Sequence, residues 1–589
     1  MESLCRFAAK RDGGWWTDLC VLALAFGFSF TVFLGTFPLM DPDEGRYAEI
    51  PREMLEGRDF ITPRLCGAKF LYKPPLIYWM NAASMALLGE GEFAARLPSA
   101  LCGLLTLLLV YWTGRRLFGR RVGVLSAFVL GTSAGFFICT RLCIVDMPLA
   151  LFMTAALSCR IVAYVSEDGP GALPYLSWAS LAFAALAKGP VGVLLPVAAV
   201  SAHALIARRP RLLSGMRWGT GLPLFILIAA PWFVLVSLRN PEFARFFFIR
   251  EHIGRFFTPL HHREEPFGFF FPIALLMLFP WSLFLPAAAR QIWRERRGRG
   301  ERIHLFLCIW AAVIFVFFSL SRSALVTYII PLLPPVSILM GAAFSRLFDG
   351  VSRSWMWQAH AAAAILCLAG IFGCFYPSIY PIRGLSHPGF IAMGALVFAG
   401  GVLSWMRIRR GNAAGFFCAL LLTVYCTDII GSRLIPRVFM GSRSCRRLAL
   451  IARRHLGPDT LLASYLYTPS LAFYTRRPFV MVDAPQTLDF FFGVGGPGEP
   501  DLFMEFDRFL VAWNSDRHVL ALMNRRDARY LAESARTPVA IIGRMGGRVL
   551  ASNRGAPVAR PAGTEGTAAA PGLRPGRTPT PIPHGPDRP

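Results

Sequence analysis

Residues 1–431 are laid out as a succession of apolar runs separated by short polar links, and this layout constrains the fold more than any other feature of the chain. The runs lie at roughly 17–39, 97–117, 122–140, 143–165, 174–187, 190–207, 218–238, 267–288, 303–320, 324–345, 357–377, 388–406 and 412–431. A helix needs about 20 apolar residues to cross the hydrocarbon core of a bilayer. The pattern therefore predicts about thirteen spans, of which 174–187 is the shortest. A string of soluble domains, which a length of 589 residues would otherwise suggest, is excluded. Composition agrees, because 16% of the residues are charged and the mean hydropathy is +0.49, whereas soluble domains carry about 25% charged residues.

The net charge is +26, from 61 Lys and Arg against 35 Asp and Glu. In a soluble chain that balance would point to nucleic acid. Here the cations sit in short clusters between apolar runs: Arg6/Lys10/Arg11, Arg115–Arg121, Arg208–Arg217, Arg290–Arg302, Arg346/Arg353 and Arg407–Arg410. A cytoplasmic N-terminus puts every cluster on the cytoplasmic side, provided the 166–174 link is there too. Membrane lipids are then the expected neighbours and nucleic acid is not. Segments 41–96, 239–266, 321–323 and everything after 431 are predicted outside. The first run is long and lacks a clear small-x-small cleavage site, so it reads as an anchor. The thirteen cysteines are scattered, without a Cys-x-x-Cys, and read as small buried hydrophobes.

Beyond about residue 432 the apolar runs shorten to Leu461–Tyr465, Phe479–Val482, Val519–Leu522 and Val539–Ile542, with helix-capable stretches such as Arg525–Ala535 between them. This predicts a transmembrane unit over 1–432 and a small extracytoplasmic α/β domain over 433–556. Residues 557–589, rich in Pro, Gly, Thr and Arg, are expected to be disordered.

The chemistry concentrates at the outer ends of the spans. The first external loop, 40–96, opens with Met40-Asp41-Pro42-Asp43-Glu44-Gly45-Arg46-Tyr47-Ala48-Glu49. Three acids within four residues at a membrane boundary mark function, or else belong to a solvated helix whose acids suit its dipole and its i,i+4 partners. Lys73, in Tyr72-Lys73-Pro74-Pro75, precedes an aromatic-rich amphipathic helix and either holds a phosphate or snorkels to headgroups. Arg141 and Asp146 flank one outer turn and Lys188-Gly189-Pro190 forms another. The 239–266 loop carries Arg250-Glu251-His252 and His261-His262-Arg263-Glu264-Glu265, where a metal site competes with a solvated pair of histidines. Ser321-Arg322-Ser323 leads into Thr327-Tyr328-Ile329-Ile330-Pro331. Gathered on one face, acids for proton transfer and cations for phosphate suit a membrane-anchored isoprenoid-phosphate sugar donor. A transporter or flippase for lipid-linked saccharides is the rival class. It fits less well, because the polar groups cluster at loop ends and no internal repeat is visible.

Taken together, these motifs resemble the GT-C family of polytopic glycosyltransferases, in particular the branch of lipid A aminoarabinose transferases, with protein O-mannosyltransferases more distant. The resemblance is carried by Pro42–Glu49, Lys73-Pro74 with Tyr78-Trp79, Leu186–Pro190, Glu251–Phe267, Phe279-Pro280-Trp281 and Leu325–Pro331, over about residues 15–350. It implies a mainly helical GT-C membrane protein in a bacterial inner membrane, with the active site and C-terminal domain periplasmic. It implies an inverting pentosyl- or hexosyltransferase that uses a polyprenyl-phosphate donor and a lipid A-like, lipid-linked or envelope glycan acceptor. A protein O-mannosyltransferase-like role is the alternative substrate reading. By the same resemblance, Asp43 is the catalytic carboxylate, with Glu44 beside it. Arg46, Tyr47, Lys73, Asp146, Lys188, Arg255, Arg322 and Tyr328 hold the donor phosphate or line the cavity. No cofactor is certain. A divalent metal would involve His261 or His262, but Tyr72 stands where the aminoarabinose transferases have a metal-site Glu, and Gly45 stands where they have Thr.

Overall fold

The computed structural model describes residues 14–166, 169–208, 215–254, 265–266, 268–295, 301–349, 355–379, 387–439, 443–483 and 502–555. Helix α1 (Trp15–Thr31) leads through a tied linker to α2 (Asp43–Gly57), a two-stranded ribbon β1 (Arg64–Leu65) and β2 (Ala68–Lys69), and α3 (Leu76–Leu88). Then come α4 (Glu92–Phe118), α5 (Arg120–Gly131), α6 (Ala134–Thr140), α7 (Asp146–Val165), α8 (Leu173–Lys188), α9 (Val191–Ile206) and α10 (Trp218–Arg239). The bundle is completed by α11 (Phe270–Met277), α12 (Leu285–Glu295), α13 (Glu301–Leu320), a 3₁₀ segment Val326–Leu332, α14 (Leu333–Asp349), α15 (Met356–Ile379), α16 (His387–Arg409) and α17 (Ala413–Phe439).

Each of the thirteen predicted runs falls on helix, but they are not thirteen full crossings. Among the described residues eight helices are long and apolar enough to span, or up to ten if each bent pair counts as one. The α5–α6 pair bends by 69° and the α11–α12 region by 105°. The breaks coincide with Gly131-Thr132-Ser133 and with Pro280, which lacks the N–H a continuing helix needs. Helices α1, α8 and α9, at 17, 16 and 16 residues, are short for a full crossing. Burial separates centre from periphery: the apolar window of α7 is 78% buried within the protein, that of α10 22%.

The C-terminal unit is built on a six-stranded sheet of β3 (Leu461–Ser464), β4 (Val480–Val482), β5 (Phe503–Met504), β6 (Val519–Asn524), β7 (Ala540–Met545) and β8 (Arg548–Ser552), in the order β5-β4-β3-β6-β8-β7. The first four strands in that order run parallel, and β8 and β7 add an antiparallel edge. Helices α18 (Arg446–His455), α19 (Ser470–Thr475), α20 (Phe506–Trp513) and α21 (Arg525–Ser534) complete it. Period-2 alternation gives each strand two destinations. In β6, Val519, Ala521 and Met523 pack with Phe509 and Trp513 of α20 and Leu531 of α21. Leu520 and Leu522 face the other way, into a cluster with Leu448, Leu471, Tyr47 and Tyr78. The sheet is thus seated on α2 and α3 by its own hydrophobic face. Helix α17 runs to Phe439, beyond the boundary expected at 432. The tail expected to be disordered, 557–589, lies outside the described residues.

Candidate active site

Two arginines shape the linker between α1 and α2. Arg141 donates to the carbonyls of Ser29 (2.8 Å), Phe30 (3.1 Å) and Val32 (2.5 Å), covering the carbonyl end of α1 that would otherwise lack partners. Arg96, wholly buried on α4, donates to the carbonyls of Leu34, Phe37 and Pro38 at 2.8–3.0 Å and clasps Glu44 through two 2.7 Å bonds. The Glu44 carboxylate also accepts the backbone N–H groups of Met40 (3.0 Å) and Cys143 (2.9 Å). Its side chain is 2% exposed. Glu44, named beside Asp43 as a catalytic candidate, is thus enclosed by Arg96 and backbone donors. Adjacent helical positions point about 100° apart, and the outward one belongs to Asp43, whose side chain is 48% exposed at the start of α2.

Arg46, one turn along α2, is ion-paired with Asp43. Its guanidinium lies 5.4 Å from the Tyr47 ring, 5.6 Å from Phe70 and 6.0 Å from Tyr72, an aromatic wall that favours a cation. The Lys73 Nζ sits 4.1 Å from the same Tyr72 ring. Tyr467, from the C-terminal domain, closes over Arg46; burial pushes its phenol up to about 12, against the opposing pull of the Arg46 charge.

A second cluster joins α7, α8 and the 3₁₀ segment. Asp146, at the N-terminus of α7, pairs with Lys188 at the C-terminal end of α8 and accepts a 2.7 Å bond from Thr327 Oγ1. Lys188 Nζ lies 4.0 Å from the Tyr328 ring. Tyr47 stands between the clusters, its buried phenol raised by desolvation and subject to the charges of Arg46, Asp43 and Asp146. The structure thus brings Asp43, Arg46, Tyr47, Lys73, Asp146, Lys188 and Tyr328 to one region. Arg322 is exposed on the turn before Val326–Leu332. Arg255, His261 and His262 lie outside the described residues.

The remaining loop acids have structural partners. Glu49 is held by Arg52 (2.7 and 2.8 Å), and burial raises it to about 8. Glu53 receives the N–H groups of Cys66 (2.5 Å) and Gly67 (3.0 Å), fixing the β1–β2 turn. Asp41 reaches the other domain, accepting from Ser470 N (2.8 Å) while lying 2.5 Å from Ser470 Oγ, and burial raises it to about 7. Arg96, Asp41, Thr327 and Tyr467 were not singled out as site residues from the sequence. A charge at the very edge of the 97–117 apolar run was a visible signal for Arg96. Tyr467 had none, being one tyrosine in a separate domain.

The chain and its fold match known proteins. The dolichyl-phosphate-mannose-protein mannosyltransferase family model matches residues 72–234, and the aminoarabinose transferase C-terminal domain model matches 448–553. An undecaprenyl phosphate-alpha-4-amino-4-deoxy-L-arabinose arabinosyl transferase from Sodalis glossinidius is 32% identical over 495 residues, 80% of this chain and 86% of the relative. The chain belongs to the aminoarabinose arabinosyl transferase family. The crystal structure of ArnT from Cupriavidus metallidurans bound to undecaprenyl phosphate superposes with a TM-score of 0.78 at 28% identity, covering 92% of this chain and 98% of that one. The oligosaccharyltransferase of Archaeoglobus fulgidus, at 14% identity and a TM-score of 0.51 over 90% of this chain and 72% of its own, shares the fold. This arabinosyl transferase relative is accordingly a multi-pass membrane glycosyltransferase of the GT-C type.

Its two departures from the aminoarabinose transferase pattern have physical consequences. Tyr72, where the resemblance implies a metal-site Glu, is flanked by Lys73 and Arg46 at 4.1 and 6.0 Å, so a divalent cation there would meet two positive charges. Among the described residues no group of three or more His, Cys, Asp or Glu side chains is placed to hold a metal. Gly45 is the other departure: a Cβ there would lie 2.4 Å from Ser470 N and 2.7 Å from Asp41 Oδ1. Its lack of a side chain lets α19 press against α2.

Proposed function

We propose that this glycosyltransferase moves a 4-amino-4-deoxypentose from undecaprenyl phosphate to a lipid A-like acceptor, on the periplasmic face of a bacterial inner membrane. The relatives' shared donor and the ArnT complex with undecaprenyl phosphate support the donor assignment. The observation that carries the mechanism is the contrast of burial at Asp43: a half-exposed carboxylate at the edge of buried Arg46, Lys73 and Lys188.

In this reading the cations bind the donor phosphate. They stabilise the charge it gains as the bond between the anomeric carbon and the phosphate oxygen breaks. The acceptor oxygen attacks the opposite face, inverting the centre, and the bonding pair leaves with undecaprenyl phosphate. Asp43 takes the acceptor proton, with Arg46 orienting its carboxylate through their ion pair. Asp146, held by Lys188 and Thr327, fixes the Lys188 charge towards the cavity wall. Glu44 positions Asp43 through Arg96.

The test is transfer by purified protein in nanodiscs from a panel of undecaprenyl-phosphate sugars, including mannose, to envelope lipid. Asp43→Asn should fold normally and lose about 10²–10⁴-fold in turnover. Full activity in that variant would remove Asp43 from the chemistry. Transfer from the mannose donor alone would favour the protein O-mannosyltransferase-like alternative.

A further inference from the structure

The C-terminal domain carries a basic groove that the reaction above does not use. It has a volume of about 410 Å³ and lies between α18, Met545 of β7 and Pro38, at the end of the linker from the first span. Helix α18 reads Arg446-Arg447-Leu448-Ala449-Leu450-Ile451-Ala452-Arg453-Arg454-His455. It buries Leu448, Ala449 and Ala452 in the protein. Arg447, Leu450, Ile451 and Arg454, spaced i, i+3, i+4 and i+7, form one stripe along the groove.

Three arginines thus line a concave surface whose floor is apolar and whose described lining contains no acid. Arg446 is braced by Glu92 at 3.2 Å, while Arg447 and Arg454 are exposed at the groove. An apolar floor with a guanidinium rim is complementary to an amphiphile with an anionic head, because guanidinium binds phosphate bidentately. The groove also touches the reaction loop: the Arg443 carbonyl accepts Asp41 N–H at 3.0 Å, and Cys445 Sγ lies 3.0 Å from the Ser470 Oγ that contacts Asp41. Asp41 is two residues from Asp43. The donor cluster around Arg46, Lys73 and Lys188 shares no residue with the groove.

We propose that this groove docks the phosphate-bearing saccharide headgroup of the acceptor lipid, with Arg447 and Arg454 as its phosphate ligands. The inference rests on the acceptor reading above, and deepens it by giving the C-terminal domain a recognition role. The acceptor would enter from the membrane beside Pro38, and the groove would hold its headgroup against the loop that carries Asp43.

The test uses the full-length protein in phosphatidylcholine nanodiscs. Binding of bis-phosphorylated lipid A, of dephosphorylated lipid A and of undecaprenyl phosphate is measured for the wild type, Arg447→Glu/Arg454→Glu and Arg447→Gln/Arg454→Gln. Both positions are exposed, so unchanged thermal midpoints are expected. Charge reversal should weaken the phosphorylated lipid about tenfold or more, the Gln pair less, and leave undecaprenyl phosphate unaffected. Wild-type binding of dephosphorylated lipid should fall to the reversed variant's level. Equal binding by all three proteins overturns the proposal, as does an equal loss for both forms of lipid A. Displacement of lipid A from the wild type by phosphatidylglycerol in the discs would show a groove for any anionic headgroup, and would also overturn it. Failure of the transferase reading would look different: phosphorylated lipid A would bind through the arginines with no sugar transferred to it.

Discussion

Helix α4 carries an arginine–carboxylate network at each end, and the two networks have different roles. Near its N-terminus, Arg96 and Glu44 are 0% and 2% exposed and tie down four further backbone groups besides the Cys143 amide. Near its C-terminus, Arg115 and Tyr111 join Arg120 around Asp18 of α1, but Arg120 is 46% exposed. Arg96 and Arg115 are nineteen residues apart in the sequence, about 28 Å along a helix, which is close to the thickness of a bilayer's hydrocarbon core. The Asp18 network, reaching solvent through Arg120 although Asp18 itself is 9% exposed, has the character of an interface anchor, with water to share part of its cost. The buried one has no such recourse, and its charges persist because each finds a partner. The lesson is that of two adjacent acids at a candidate site one can be structural: Glu44 is consumed in holding the loop from which the half-exposed Asp43 projects.

The comparison predicts unequal consequences. Arg96→Ala leaves Glu44 buried without its cation and three carbonyls without a donor. It should cost about 3–5 kcal/mol, seen as a collapse in yield and thermal midpoint, and much of that loss should return if Glu44 is changed to Gln in the same chain. An intact midpoint for Arg96→Ala would erase the distinction between the two ends. Gly45→Thr sharpens the role of the seam beside the buried network. The added side chain meets Ser470 N and should cost about 1–3 kcal/mol, exposing residues 443–445 to limited proteolysis, whereas Gly57→Ala, with open space around it, should change little. The smallest effect belongs to the other end of α4. Asp18→Asn should cost at most about 1 kcal/mol and leave transfer activity near wild type; a loss as large as that of Arg96→Ala would mean the Asp18 network is as structural as the buried one.

The helical membrane architecture was legible because an apolar run of sufficient length leaves the backbone little alternative in lipid. The α/β character of the C-terminal region was legible from short apolar runs between polar helices. The number of crossings was less so. Length arithmetic treats each run as a helix surrounded by lipid, whereas α7 is largely surrounded by protein and the α5–α6 run breaks at Gly131-Thr132-Ser133. Several candidate site residues were visible as charges at span ends, where desolvation makes a charge expensive without a task. By residue type alone Asp43 and Glu44 are equivalent, and only the resemblance set Asp43 apart; the structure turns Asp43 outward and Glu44 onto Arg96.

By itself, then, the sequence determined a multi-pass helical protein, a charged face at one end of its spans and the residue types available there. Those properties follow from transfer free energies and local spacing, which are written residue by residue. Tertiary structure alone decided that Tyr467 covers Arg46, that Ser470 meets Asp41 through the gap left by Gly45, and that α18 and Pro38 enclose a basic groove. Each of these joins segments hundreds of positions apart. Such contacts come from the packing of one hydrophobic sheet face onto α2 and α3, and no local pattern in the chain records it.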